Sequence, residues 1–244
     1  MLQAAAPPPQ EENPPRRPLR TLEGFSGSLA QRVYLSLKDA ILTLTFRPGE
    51  ILRKPEICAD LGVSRSPVAE AVARLASEAL VDVVPQAGTF VARFSMEEIR
   101  EGAFLREALE VAAVELVARS ITEDQVVMLR RNMRVQEALV ADGDFNGFHQ
   151  LDAQMHELIL SFTGFRRLAM LSETTWVHVN RARQLMLPAP GRVQATLREH
   201  HAIIAALEAH DPAAARNATQ LHLRQLIRVL EPLVHERPEL FAAG

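Results

Sequence analysis

Asp152 and His156 stand four residues apart in the run Leu151-Asp152-Ala153-Gln154-Met155-His156. On an α-helix that spacing places a carboxylate and an imidazole one above the other on a single face. Two more imidazoles are placed by a turn. His200 lies eleven residues before Asp211 of the Asp211-Pro212 pair, and His222 eleven residues after it. In an antiparallel helical hairpin such equal offsets, about 16 Å each, bring both rings to the same height. His200 shares its helical stripe with Ile203, Ile204 and Leu207, and His222 shares one with Ala218, Leu226 and Val229, so both face a core. His201, one residue on, faces the surface. Three imidazoles and one carboxylate suit a divalent transition metal (Zn, Ni, Co or Mn, with Zn or Ni favoured). They do not suit Mg or Ca, which take oxygen shells. Two readings stay open for this set: a metal site with positions left for water or a carboxylate ligand, or a buried polar network without metal.

Arginines stand near this set in the same half of the chain. Arg106, in Leu105-Arg106-Glu107-Ala108-Leu109-Glu110, follows apolar Ala103 and has Leu109 and Glu110 at +3 and +4. Aimed inward, its guanidinium clamps a carboxylate through two parallel N–H donors; turned along its own helix, it pairs with Glu110. Arg181 and Arg183 flank the same possible cavity from another helix, with a solvated face as the alternative for at least one of them. Arg106 and Arg181 are the effector-binding candidates.

The elements that carry these residues are helical. Ser95-Met96-Glu97-Glu98 reads as a capping box, and beyond it turn residues interrupt a steady helical periodicity. Helices are expected at about 95–119, 122–141, 145–162, 166–187, 192–209 and 212–235. Asp144, Gly164, Pro188-Ala189-Pro190-Gly191 and Asp211-Pro212 mark the breaks. This is an all-α six-helix bundle over residues 95–244.

The preceding block has a different grammar. An apolar helix end at Leu61 runs into Gly62-Val63, then into Ser64-Arg65-Ser66-Pro67 and a second amphipathic helix reaching Glu78. Glycine permits the sharp turn, Ser64 or Ser66 caps the second helix, and Pro67 suits a first turn whose N–H has no partner. Val68, Ala71, Val72 and Leu75 form its buried face, leaving Ser64, Arg65, Ser66 and Arg74 as polar reach. This is a helix-turn-helix, whose second helix enters a DNA major groove N-terminus first. A helix from Ser28 past Leu42 and a short one from Lys54 to Leu61 precede it. The runs Leu80-Val81-Asp82-Val83-Val84 and Thr89-Phe90-Val91-Ala92 follow, joined through Pro85-Gln86-Ala87-Gly88 as a hairpin wing with positive φ at Gly88. The DNA-binding candidates are Ser64, Arg65, Ser66, Pro67, Arg74 and Gly88. The winged helix-turn-helix occupies residues 28–94. Residues 1–27, with Pro7-Pro8-Pro9 and Pro14-Pro15, form a disordered arm.

Composition bounds the function. At 244 residues, 48% hydrophobic but only 5% aromatic, the chain packs through Leu, Ala and Val, as helices do. A net charge of −3 excludes a basic nucleic-acid coat, so DNA contact must come from a local patch. The single Cys58 excludes an intrachain disulfide and reads as an unreactive core thiol. With no membrane-length apolar run and no basic-then-apolar leader, the protein reads as cytoplasmic.

Taken together, these residues resemble the GntR family of bacterial transcription regulators, in its FadR-like branch with a C-terminal FCD ligand-binding domain. The likeness runs through Arg47-Pro48-Gly49-Glu50, Leu61-Gly62-Val63-Ser64-Arg65-Ser66-Pro67-Val68, the wing ending in Gly88, and Leu105-Arg106 with Leu109-Glu110. The family's pattern of one Asp and three His falls on Asp152, His156, His200 and His222. The resemblance implies a homodimer on a short palindromic operator. It also implies a small organic acid bound in the helical domain, its carboxylate on the metal and on Arg106. Arg65 would be the foremost reader of base edges, while Arg74 and Ser66 hold phosphates. Three positions depart from the family's pattern: Ala69 stands where Arg follows Pro-Val, Ala79 replaces the Gly before the first wing strand, and Phe165 replaces an Asn. The first implies a lost DNA contact, and the second an altered exit from the helix.

The function expected is a ligand-responsive transcription regulator, most often a repressor in this family, and not an enzyme. The alternatives are a sensor whose effector is the metal itself and, from a different class, a metalloenzyme that activates water. Effector, operator sequence, physiological metal and the direction of regulation are not written in the sequence.

Overall fold

The computed structural model describes residues 19–168, 176–186 and 191–242. Its first part contains α1 (Leu29–Leu42), α2 (Lys54–Leu61), α3 (Arg65–Ser77), β1 (Val81–Val84) and β2 (Gly88–Val91). Ser28 starts α1 by accepting a hydrogen bond from the Gln31 N–H. Gly62 ends α2 at φ +64°, the left-handed conformation the turn requires. Val33, Leu37, Ile41, Phe46, Ile57, Val68, Leu75 and Leu80 are fully buried and hold the three helices together.

The hairpin pairs Val81 with Val91 and Val84 with Gly88, antiparallel. Gly88 takes the expected positive φ, at +135°, and Gln86 shares the turn at +62°. A third segment completes the sheet. The Gly49 N–H donates to Val91 O, Val91 N–H to Glu50 O, and Leu52 N–H to Thr89 O. The Arg47-Pro48-Gly49-Glu50 motif is therefore the entry to a strand pairing with the wing.

The second part is helical: α4 (Met96–Ser120), α5 (Glu123–Ala141), α6 (Phe145–Phe162), α7 (Val177–Arg183), α8 (Arg192–Glu208) and α9 (Pro212–Glu236). Thr122 and Gln125 form a reciprocal capping box on α5, Asp144 caps α6, and Asp211 caps α9 through the Ala213 and Ala214 N–H groups. The fold is thus a mainly helical winged helix-turn-helix followed by a helical bundle, as the sequence leads one to expect. No helix among the described residues is long and apolar enough to cross a membrane.

Several expectations need correction. The helix expected over 166–187 is not continuous. Residues 166–168 are helical and 169–175 lie outside the described residues. Trp176 then sits in a turn as the N-cap of α7, and 184–186 continue as a 3₁₀ turn. The expected break at 188–190 also lies outside the described residues. Of the arm expected over 1–27, residues 1–18 lie outside them as well. Leu22–Gly24 instead form a 3₁₀ turn, Leu19 and Leu22 pack on the core, and Arg20 O accepts from Ser36 Oγ. The apolar pair Leu19 and Leu22 gave this segment something to bury. At α4, Ser95 accepts from Glu98 N–H, while the Glu98 carboxylate, which a full capping box would return to the Ser95 N–H, lies 3.6 Å from His178 Nδ1. Ala79 adopts φ +53°, keeping the left-handed exit that a glycine would take. Cys58 is half-buried against the core and free.

The two parts are joined tightly. Phe94 N–H donates to Leu240 O, Ala242 N–H to Phe94 O, and the Phe94 and Phe241 rings lie 5.8 Å apart. The segment after the wing is thereby stitched to the end of the bundle.

Candidate metal centre

Helical repeat delivers the ligand set. Asp152 and His156 project from one face of α6, and the Asp211-capped hairpin brings His200 of α8 level with His222 of α9. One ligand atom from each of the four lies within 4.8 Å of every other, and all four residues are buried. Donors at about 2.1 Å around a cation stand up to about 4 Å apart, so this cluster is near coordination size.

The surrounding bonds fix which ring nitrogens face inward. His156 Nδ1 lies 2.6 Å from Glu110 Oε2 and His222 Nδ1 lies 2.8 Å from Glu199 Oε2. An ionised carboxylate only accepts, so each Nδ1 carries the hydrogen. His200 Nδ1 lies 2.8 Å from Gln136 Oε1. The Gln136 amide is oriented by donating Nε2–H to Asn132 Oδ1 at 2.7 Å, leaving its oxygen as the acceptor. All three Nε2 atoms are left as lone pairs turned toward Asp152. Those of His156 and His222 face each other at 3.2 Å. His200 Nε2 and both Asp152 oxygens are buried without a well-aligned hydrogen bond, although His200 Nε2 is 3.2 Å from Asp152 Oδ1. Acceptors that face one another in a dry interior call for a cation between them. Burial pushes His200 and His222 well below the ordinary histidine range, with the neighbouring rings and arginines adding to it. Neutral imidazole is the form a metal takes. The residues fit a borderline transition ion.

Beside the cluster is a cavity of about 40 Å³ lined by Arg106, Arg183, Arg192, Asp152 and His222 together with further polar and apolar side chains. With about 10–15 Å³ needed for each water, that space holds about three waters, enough for a small acid and not for a drug-sized ligand. Arg106 is at once in the cavity wall and paired, its Nε lying 2.5 Å from Glu110 Oε1. Burial alone would raise the Glu110 carboxyl, yet Arg106 and His156 hold it at about 2. Glu110 thus links the cavity guanidinium to a ring of the candidate metal set.

Arg181 is not in this cavity. It is 1% exposed, donates to Ala92 O at 2.7 Å, and lies over the Phe94 ring at 4.5 Å. Two residues along a helix point in different directions, and it is Arg183 that reaches Asp152. Arg183, set beside Arg181 at this cavity by the sequence, and Glu110, the alternative partner of Arg106, complete the site with Arg192, Gln136 and Glu199, which had not been singled out. Gln136 had a visible signal: with Val126, Leu129 and Met133 it continues the buried stripe of α5, a polar residue on an apolar face.

The expected DNA surface is laid out at the other end. Ser64, Arg65 and Ser66 are exposed and Pro67 is half-buried at the start of α3. Ser64 holds the N-cap position but its side chain makes no capping bond, and Ser66 lies inside the helix, so neither hydroxyl is spent there. Arg74 is engaged within the head. Its guanidinium lies 3.7 Å from the Tyr34 ring centre, contacts Gln31 Oε1 and lies 3.7 Å from Glu78. At the wing, Gly88 and Thr89 border a groove with Arg53 and Lys54, two cations that had not been singled out.

Comparison with known proteins agrees with this layout. Residues 29–91 match the family of bacterial regulatory proteins described as gntR, and residues 101–225 match the FCD domain. An HTH-type transcriptional regulator in an unstable DNA locus of Streptomyces ambofaciens is 33% identical over 210 residues, covering 86% of this chain and 88% of that one. The HTH-type transcriptional repressor RspR of Escherichia coli is 29% identical over 212 residues, covering 87% and 93%. Among solved structures, a GntR regulator from Rhodococcus sp. RHA1 superposes with a TM-score of 0.71 at 27% identity, covering 84% and 99%.

Proposed function

The chain belongs to the GntR family of bacterial DNA-binding transcription regulators with an FCD domain, and on that premise we propose that it is a repressor controlled by a metal and a small organic acid. In this reading residues 28–94 bind the operator and residues 95–244 bind the effector and hold two copies together. The observation that carries the metal is the ring arrangement: three Nδ1 atoms tied to acceptors, three Nε2 lone pairs converging with Asp152. Zn or Ni suits that set of three nitrogens and one oxygen. A bound divalent cation supplies a Lewis-acid anchor for a carboxylate.

The arginines in the cavity wall favour an organic anion as effector over the bare metal ion. Family and relatives are regulators, not enzymes, which removes the ground for the metalloenzyme alternative. RspR is named a repressor, and that supports the same direction here. With a net charge of −3, a single head presents little positive charge. Two copies on a palindrome double the base contacts, with Arg65 the leading reader of guanine. Among the described residues Arg65 is exposed and makes no ion pair, so its guanidinium is available.

The test separates the two halves. Elemental analysis of the purified protein is expected to give one metal per chain, lost in the double variant His200→Ala/His222→Ala. Arg65→Ala is expected to abolish a discrete operator band in a gel shift while keeping the metal. Metal retained by the double variant would refute the centre, and an unchanged band with Arg65→Ala would refute the reading head.

A further inference from the structure

The cavity's charges are paired one to one. Arg106 meets Glu110 at 2.5 Å, Arg183 meets Asp152, and Arg192 meets Glu199. Those six groups are neutral together, and the three rings, each with its hydrogen on Nδ1, add nothing. Yet the pairing is strained by burial: Arg183 is 9% exposed and Arg106 5%, and both line one small space.

A divalent cation held by Asp152 and the three imidazoles brings two positive charges into this neutral, dry space. Asp152 must then share one negative charge between the cation and Arg183. A monocarboxylate cancels half of the excess and leaves a buried net charge, which is costly in low dielectric. A dianion cancels it all. The remaining wall sets the apolar Phe148, Val193, Leu223 and Leu226 beside His149, Thr196 and Gln225, and its apolar part suits methylenes between two charged ends.

We infer that the effector is a short dicarboxylate, one end at the metal centre and the other held by Arg183, which makes Arg183 the residue that selects two charges over one. This rests on the reading of the site as a metal- and acid-binding centre.

Calorimetry on the Zn-loaded full-length protein tests it, with succinate against butyrate, which share a four-carbon chain, and inorganic phosphate as a compact dianion. Succinate is expected to bind at least about tenfold tighter than butyrate. Arg183→Gln should lower succinate affinity about tenfold to hundredfold, as losing one charge-assisted pair does, and should leave butyrate within about threefold. Arg183→Lys, which keeps the charge next to Asp152, should retain most of the preference and serves as the variant that preserves folding. Equal affinity for succinate and butyrate overturns the inference, as does an equal fall for both acids in Arg183→Gln. Phosphate binding tighter than succinate overturns the two-ended form. Protein that holds Zn but takes up none of the three anions overturns the parent reading of an acid-binding cavity.

Discussion

Glu110 accepts from two donors at once, the Arg106 Nε–H and the His156 Nδ1–H. Only a carboxylate can do so. In Glu110→Gln one orientation of the amide sets its N–H₂ against the arginine, and the other sets it against the ring. Such an orienting partner is worth about tenfold to hundredfold in metal affinity, so Glu110→Gln should weaken Zn binding by about that factor in a competition titration with a chromophoric chelator. Unchanged affinity would mean that Glu110 serves Arg106 alone. At this scale the clustering of Asp152, His156, His200 and His222 was legible, because i, i+4 spacing and equal offsets from a turn are properties of the helix. Their supports were less so. Glu110 and Gln136 lie on other helices, and which face meets which ligand is settled by bundle packing. The assignment of Arg181 to the cavity failed for the same reason. Two arginines two residues apart point in different directions, and the rotation of α7 decides which one enters.

Helix α7 is the element that touches both parts of the molecule. Arg183 at its end meets Asp152, while Val177 at its start belongs to the core of the head. Between them His178 Nε2 lies 3.1 Å from Glu78 O at the end of α3, and Arg181 donates to Ala92 O just past β2. Burial pushes the Arg181 guanidinium down to about 10, and its hydrogen bond goes to a backbone carbonyl and not to a carboxylate. In the proposed function this helix carries the state of the cavity to the wing. Arg181→Ala should therefore leave metal and acid binding within about twofold and remove most of the acid's effect on operator affinity. A wild-type effect would assign the coupling elsewhere. A smaller matter belongs to the helix exit. Ala79 holds φ +53° where glycine is free of strain, so Ala79→Gly should raise stability by about 0.5–1 kcal/mol in urea unfolding. A loss would show that the Cβ contributes packing there. The elements of the head were readable because each has its own stop signal, Gly62, Ser64 and Gly88. The region of α7 was not, since nothing between Gly164 and Gly191 punctuates the periodicity at Trp176.

For the whole molecule, the head and the bundle are joined by backbone pairing at Phe94 and by α7. A change at Asp152 has a short, packed route to the recognition helix. Allosteric coupling of about 1–3 kcal/mol is typical of such two-state assemblies, roughly a fivefold to 150-fold change in affinity. Composition had already set the frame: a chain with a net charge of −3 binds DNA through placed residues, not through bulk charge. The most direct measurement is operator affinity of the Zn-loaded protein, by fluorescence anisotropy on DNA from upstream of its own gene, with and without succinate at a concentration that calorimetry finds saturating. The account predicts specific binding in the absence of the acid and a weakening within that range in its presence. An operator Kd that stays the same while the cavity is filled would contradict it.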